Sequence, residues 1–292
     1  MIYDCAVIGT GPAGISAVLN LKIREKSFIW LGSKNLSDKI GKAERISNYP
    51  GFINVSGSEL AAAFKTQIDE MGIEIKEEMV NNIIRFSDHF ALSAGSEFYE
   101  AKTVILTTGT AKAAQIKGEE RLLGKGVSYC ATCDGNLYKE KNIAVICENK
   151  RFEDEVGYLA GLAGKVYLYV PYGSAFTAEN TQMLLSKPIE VSGEEKVSAL
   201  KLKDGDEVSV SGVFFLRDSV ALSYLLPKLE TEGGHIKVNR QMETNIPGVF
   251  AAGDCTGRPY QYTKAVGEGN VAAHSVFEYL VAEKCSDISH QK

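Results

Sequence analysis

The chain opens on a nearly continuous apolar run, Tyr3 to Ile8, bounded by glycine and too short for a helix. Such a run predicts a strand buried on both faces, as in a parallel sheet. Helical spacing of apolar positions follows from Ile15 to about Arg24, and Ser27–Leu31 reads as the next strand. A turn-rich segment, Ser47-Asn48-Tyr49-Pro50-Gly51-Phe52, leads to a helix from about Ser58 to Met71, whose start Ser58 and Glu59 suit. Strands at Ile73–Lys76, Ile83–Phe86 and His89–Ser93 form a meander, and Thr103–Thr107 is a buried strand ending in Thr108-Gly109-Thr110.

A second strand–helix–strand pattern occupies Asn142–Cys147, Arg151–Leu162 and Lys165–Val170. A β-rich stretch comes next: Lys196–Leu202 and Glu207–Val210 around the turn Lys203-Asp204-Gly205-Asp206, then Val213–Leu216 and a short helix at Leu222–Leu229. The chain returns through Gly233-Gly234-His235 to an apolar strand, Pro247 to Ala252, and a helix from about Lys264 to Ala282. This order predicts an α/β protein with two Rossmann-like, three-layer (ββα) nucleotide-binding-type domains. The second is inserted in the first: 1–112 with 240–292, and 113–239.

Between the first strand and helix stands Gly9-Thr10-Gly11-Pro12-Ala13-Gly14, a Gly-x-Gly-x-x-Gly motif in strand–turn–helix context. Gly9 makes the turn, Gly11 lets backbone approach a pyrophosphate, and Gly14 lets helix and strand pack closely. Free N–H groups and the dipole at the helix start favour the phosphates. The acid that ordinarily holds a ribose about 20 residues on is absent, the second strand ending in Leu31-Gly32-Ser33-Lys34. Either Ser33 and backbone groups take that role or the adenosine end is held differently.

Composition narrows the chemistry. The 292 residues carry 32 basic and 37 acidic side chains, a net charge of −5, which argues against a nucleic-acid binder. No uncharged apolar run approaches membrane-spanning length, and the start, Met1-Ile2-Tyr3-Asp4, lacks a signal-peptide layout. A cytoplasmic protein is the expectation. Of Cys5, Cys130, Cys133, Cys147, Cys255 and Cys285, only Cys130 and Cys133 are close, in Val127-Ser128-Tyr129-Cys130-Ala131-Thr132-Cys133-Asp134-Gly135. With no second Cys-x-x-Cys and only scattered histidines (His89, His235, His274, His290), the pair points to redox use, with no metal. Near the C-terminus, Ala251-Ala252-Gly253-Asp254 delivers an acid at a strand end, where it could accept hydrogen bonds from ribityl hydroxyls. The helix start near Tyr262, after Gln261 and before Thr263, could face the electron-rich end of a flavin.

These motifs, together with Asn48-Tyr49-Pro50-Gly51 and Gly267-Glu268-Gly269, resemble the low-molecular-weight thioredoxin reductases over essentially the whole chain. The resemblance implies FAD in the first domain. Its expected contacts are Gly9, Gly11, Pro12, Ala13, Gly14, Ser33, Lys39 and Asn48, then Thr108, Gly109, Gly253, Asp254, Gln261, Tyr262 and Thr263. It further implies a homodimer and a swivel between domains that presents the cysteines alternately to flavin and to a thioredoxin or thioredoxin-like partner. Cys133 would meet the flavin, Cys130 would attack the partner disulfide, and Asp134 would be the acid–base residue.

The departure is at the electron input. Where the second glycine turn belongs, the chain reads Cys147-Glu148-Asn149-Lys150-Arg151-Phe152, and no phosphate-holding arginines follow at Pro171-Tyr172-Gly173. The chain therefore resembles more closely the NADPH-independent, ferredoxin-dependent flavin thioredoxin reductases. A flavin can take electrons singly and deliver them in pairs. Tyr260 stands where family members have arginine, and Tyr262, in place of a small residue, is expected on or beside the flavin ring. Lys34, Lys39, Lys42 and Arg45 are the candidate basic surface for an acidic ferredoxin. Competing readings are an NADPH-dependent reductase with a remodelled loop, a flavin-dependent dithiol oxidase passing electrons to oxygen, and a non-enzymatic redox sensor.

Overall fold

The computed structural model describes residues 1–290 except 42, 96, 111–115 and 218–221, with the side chains of 38, 39, 222, 223 and 284–290 also outside the description. The chain divides into two compact units, Met1–Ala111 with Leu225–Lys292, and Lys112–Tyr224.

The first stretch of the first unit runs β1 (Ile2–Ile8), α1 (Pro12–Ile23), β2 (Phe28–Leu31), the short α2 (Asp38–Gly41), α3 (Gly57–Glu70), β3 (Val80–Arg85), β4 (Phe90–Ala94) and β5 (Glu97–Leu106). The second unit holds β6 (Val127–Ser128), α4 (Ala131–Asp134), a 3-10 turn at Gly135–Tyr138, β7 (Asn142–Cys147), α5 (Glu153–Leu162) and β8 (Lys165–Tyr169). It continues through β9 (Thr181–Met183), β10 (Pro188–Ser192), β11 (Ala199–Leu202), β12 (Glu207–Ser209), β13 (Gly212–Leu216) and α6 (Leu222–Leu225). The chain returns with β14 (Thr231–Glu232), β15 (His235–Ile236), β16 (Val249–Ala251) and α7 (Tyr262–His290).

In the first unit the sheet order is β2-β1-β5-β4-β3, with β16 also on β5. β5 is divided lengthwise: Glu97–Ala101 pairs antiparallel with β4, whereas Val104–Leu106 pairs parallel with β16. β1 lies on its other side, parallel to both β2 and β5. α1 is buried on most of its surface, since it packs against both α7 and the sheet. Gly269 of α7 makes that contact possible, because a Cβ there would lie 2.1 Å from the Ala13 carbonyl oxygen. In the second unit β6-β13-β7-β8-β9 is wholly parallel, and β10-β11-β12 forms a separate antiparallel sheet.

Several elements differ from expectation. α3 is capped by Ser56 rather than Ser58: the Ser56 hydroxyl accepts from the Glu59 amide and Glu59 returns the bond to the Ser56 amide, a complete capping box. Ile73–Lys76 is no strand but one bridge, Leu31 to Lys76, after which the chain turns back on itself. The strand expected from Lys196 begins at Ala199, because a turn with Gly193 at φ +145° occupies the intervening residues. α6 ends at Leu225, ahead of Pro227, whose ring cannot continue a helix. Residues 225–239, expected in the second domain, belong to the first unit: β15 packs beside the 3-10 turn Asp254–Thr256, and the His235 ring meets the Tyr260 hydroxyl at 2.6 Å. Among the described residues, no helix is long and apolar enough to cross a membrane.

Replacing Gly269 by Ala drives a methyl into the α1 backbone. The expected cost is about 1–3 kcal/mol, read as a lower urea midpoint with an unchanged slope.

Candidate active site

Two sites emerge, one in each unit. The first is the turn between β1 and α1. Gly9 sits at φ +110°, and a Cβ there would lie 2.3 Å from the Thr107 carbonyl oxygen. At Gly14 a Cβ would lie 2.1 Å from the Gly9 oxygen, so the helix start is pressed against the strand end. Around Gly11, by contrast, a Cβ would meet only Ser37 Cβ at 3.9 Å, leaving room for a ligand. Pro12 opens α1, no side chain caps it, and its first turn holds no acid. With neither a side-chain cap nor an acid in that turn, its orphan N–H groups suit an anion.

Other expected residues gather at this cradle in part. Gly253, at φ +89°, approaches Ala13, where its Cβ would lie 2.9 Å from the Ala13 Cβ. Asp254 follows at the strand end, partly buried, and with burial as the larger cause it pushes the Tyr262 phenol upward. Asn48 and Gln261 meet across the fold, the Asn48 amide donating to Gln261 Oε1 at 2.8 Å. The Thr108 hydroxyl is buried without a hydrogen-bond partner, and Gly109 beside it has φ +68°. An orphaned hydroxyl near a Cβ-free turn fits a bound polar group, so these residues suit a dinucleotide such as FAD. Ser33 accepts from the Asn35 amide at 3.2 Å and thus caps its own loop. Tyr262 leads α7, and Thr263 is exposed beside it. The Lys39 side chain and Lys42 lie outside the described residues, while Lys34 pairs with Glu77 at 3.8 Å and Arg45 donates to Asn54 at 3.0 Å.

Sequence reasoning missed the residues that stiffen this site. Trp30 donates its indole N–H to the Gly9 carbonyl at 2.9 Å, and the Thr107 hydroxyl bonds the Ile8 carbonyl at 2.8 Å. Lys264 ties down the closing loop by donating to the Gly253, Thr256 and Glu268 oxygens at 2.9–3.0 Å. Its i,i+4 spacing to Glu268 was the available signal.

The second site is the redox pair. Cys130 and Cys133 form a disulfide, with Cα atoms 5.3 Å apart. Cys130 is the N-cap of α4 and fully buried; Cys133 is exposed. Asp134 Oδ2 accepts from the Ser128 hydroxyl at 2.7 Å, and the Tyr224 hydroxyl stands at 3.5 Å. Glu155 of α5 bonds the Ala131 amide. Burial holds its carboxyl above the usual carboxylate range, with the Ala131 bond and Arg151 opposing.

Behind the pair lies a buried ionic cluster that the motifs did not reveal. Arg217, just past β13, donates to Glu119, and both are essentially inaccessible. The Tyr129 hydroxyl also donates to Glu119, and Arg217 donates to Tyr129 at 3.1 Å. Arg217 further stacks 5.0 Å over the Tyr129 and Phe215 rings and reaches Glu148 at 4.0 Å. Burying charge is tolerable only with this degree of pairing.

The turn after β7 is the other half of the second unit. Asn149 takes the Arg151 amide on its side chain, Lys150–Phe152 is a 3-10 turn, and Phe152 is buried. Glu153, Asp154 and Glu155 fill the first turn of α5. Cys147 ends β7 with its sulfur 3.2 Å from the Tyr172 hydroxyl, and burial raises its thiol pKa. Thus an amide that could meet phosphate is occupied, and negative charge stands at the helix start. Cys5, Cys147 and Cys255 are free and buried. No group of three or more acidic, histidine or cysteine side chains is placed to hold a metal among the described residues.

A family model described as pyridine nucleotide-disulphide oxidoreductase matches residues 3–147 and 172–269. The interruption begins at Glu148, in the glycine-free turn. The thioredoxin reductase of Aquifex aeolicus is 32% identical, over 97% of this chain and 95% of its own. Among solved structures, a ferredoxin-flavin thioredoxin reductase from Clostridium acetobutylicum is similar with TM-score 0.89 and 48% identity, covering 96% of this chain and 98% of that one. A thioredoxin reductase from Gloeobacter violaceus is similar with TM-score 0.74 and 27% identity, covering 97% and 95%.

Two outcomes are expected of the second unit. Arg217→Ala leaves the buried Glu119 carboxylate without its cationic partner and should cost about 3–5 kcal/mol, measured by chemical denaturation. Glu155 binds its proton more tightly folded than unfolded, so its stabilisation is present below about pH 4.3, the unfolded value, and is lost as pH rises through the folded pKa. Glu155→Gln should therefore lose less stability than the parent between about pH 4 and pH 8, measured as denaturation midpoints.

Proposed function

This chain belongs to the thioredoxin reductases of the pyridine nucleotide-disulphide oxidoreductase family, with FAD as cofactor, and we propose that it reduces a thioredoxin with electrons from reduced ferredoxin rather than NADPH. The observation that carries this reading is the turn after β7, self-capped by Asn149 and followed by three acids. A pyrophosphate placed there would meet carboxylates, and the first site's glycines have no counterpart. The ferredoxin-flavin thioredoxin reductase of Clostridium acetobutylicum, at 48% identity, supports the choice of donor.

The β1–α1 turn, with Gly9, Gly11 and Gly14, would take the FAD pyrophosphate, and Thr108, Asp254 and the Asn48–Gln261 pair would supply hydrogen bonds around it. Bound there, FAD supplies the conversion of single electrons into pairs. The Cys130–Cys133 disulfide takes up two electrons and two protons to become two thiols. One, as thiolate, attacks the thioredoxin disulfide to form a mixed disulfide. The other then displaces the thioredoxin sulfur, restoring the Cys130–Cys133 bond and releasing thioredoxin with both thiols. Asp134, directly after Cys133, carries the proton between these states.

Anaerobic titration of the holoenzyme tests the donor. Photoreduced ferredoxin should bleach the flavin absorbance and generate thiols on added thioredoxin, while NADPH and NADH leave the spectrum unchanged. Prompt bleaching by NADPH would overturn the reading and make the α5 turn an unusual nucleotide loop.

A further inference from the structure

β6 is only two residues long, held to β13 by Val127 opposite Val213 and Ser128 opposite Phe214. So short a strand gives little purchase on the cysteines that follow. Its last residue, Ser128, is 1% exposed, and its hydroxyl joins two parts of the redox site. The oxygen accepts from the Cys130 amide at 3.0 Å and donates to Asp134 Oδ2 at 2.7 Å, with the Cys130 carbonyl at 3.3 Å as its other acceptor. A serine hydroxyl has one proton to give, and the shorter, charge-assisted bond to Asp134 takes it. The next residue, Tyr129, is pinned by Glu119 and Arg217, so the segment carrying Ser128 is anchored from behind.

We propose that Ser128 is a positioning residue of the disulfide chemistry: its hydroxyl fixes the Asp134 carboxylate relative to Cys130, so that the carboxylate is held where it can take the proton of the reacting thiol. This rests on the reading of Cys130 and Cys133 as the redox pair with Asp134 as its acid–base group. It does not depend on which donor supplies the electrons.

The groups facing Asp134 are few among the described residues. Tyr224 of α6 stands at 3.5 Å, and Tyr138, in the turn after α4, has its phenol pushed upward by burial and then by Asp134 itself. Glu155 of α5 approaches the neighbouring Ala131 amide, and Glu119 and Arg217 neutralise each other behind Tyr129. Ser128 is thus the short side-chain bond to this carboxylate, with the phenols farther off or electrostatic only.

The experiment uses the holoenzyme, reduced chemically with dithiothreitol, freed of excess reductant under anaerobic conditions and mixed with the small disulfide 5,5′-dithiobis(2-nitrobenzoate). The burst of thionitrobenzoate is followed across pH. Ser128→Ala should react about tenfold more slowly near neutral pH, with a pH profile that no longer follows the parent's, because the displaced carboxylate takes the thiol proton less readily. Ser128→Thr, which keeps the hydroxyl, should restore both. Thr and Val have nearly the same volume, so if Ser128→Ala fails to fold, Ser128→Thr against Ser128→Val isolates the hydroxyl. A purely structural serine would lower the melting temperature and leave the profile in place. Parent-like rate and profile in hydroxyl-free variants that retain bound flavin would overturn the proposal. Because dithiothreitol replaces the physiological donor, failure of the ferredoxin reading would appear in the flavin titration and not here.

Discussion

Three stretches of backbone in the first unit approach more closely than any side chain permits. β1 turns into α1 at Gly9, α1 presses back on that turn at Gly14, and α7 crosses α1 at Gly269, each at a distance a single methyl would close. The uncapped N-terminus of α1 is thereby held open and fixed in direction, and Trp30 and Thr107 brace the turn beneath it. Gly253 and Asp254 reach the same place because β16 pairs with β5 next to β1. Burial explains why these elements form; the missing Cβ atoms explain why the helix start is left open.

The second unit repeats the strand–turn–helix–strand arrangement and inverts the chemistry. Its parallel strands also feed a helix, yet the turn is closed by a side-chain cap and a buried phenylalanine, with acids where phosphate would sit. The charge that remains inside is internal: Arg217 answers to Glu119 and Tyr129. Such a pair is a poor source of stability compared with apolar packing. Its position directly behind the cysteine segment suits a role in geometry, since α4 and β6 together offer few backbone bonds to hold the disulfide still.

Much of this was legible in the sequence because its chemistry is local. The Gly9–Gly14 turn, the Cys130–Cys133 pair and the altered turn at Cys147–Phe152 are each contiguous, and each was readable from residue type and spacing. What escaped joins distant residues. Glu119 and Arg217 lie 98 positions apart, and neither is flagged by a motif. Trp30 read as an ordinary strand residue, although its indole meets the glycine turn. Boundary errors have similar causes: Ser56 and Ser58 are equally plausible caps until Glu59 chooses one, and Lys76 pairs only through β2. The return point near Leu225 was hidden because the β14–β15 hairpin carries no signal of the unit it joins.

The split partnership of β5 has a consequence for biogenesis. Its outer half zips to β4 within a local meander, but Val104–Leu106 must await β16, which is made only after the entire second unit. On the ribosome the nascent sheet therefore carries a bare, strongly apolar edge while more than a hundred later residues emerge. The inserted unit, a single continuous stretch of chain, can complete itself first. Closure of the first unit is then a late, long-range event, and that open edge is where a chaperone, or an aggregate, would find this protein.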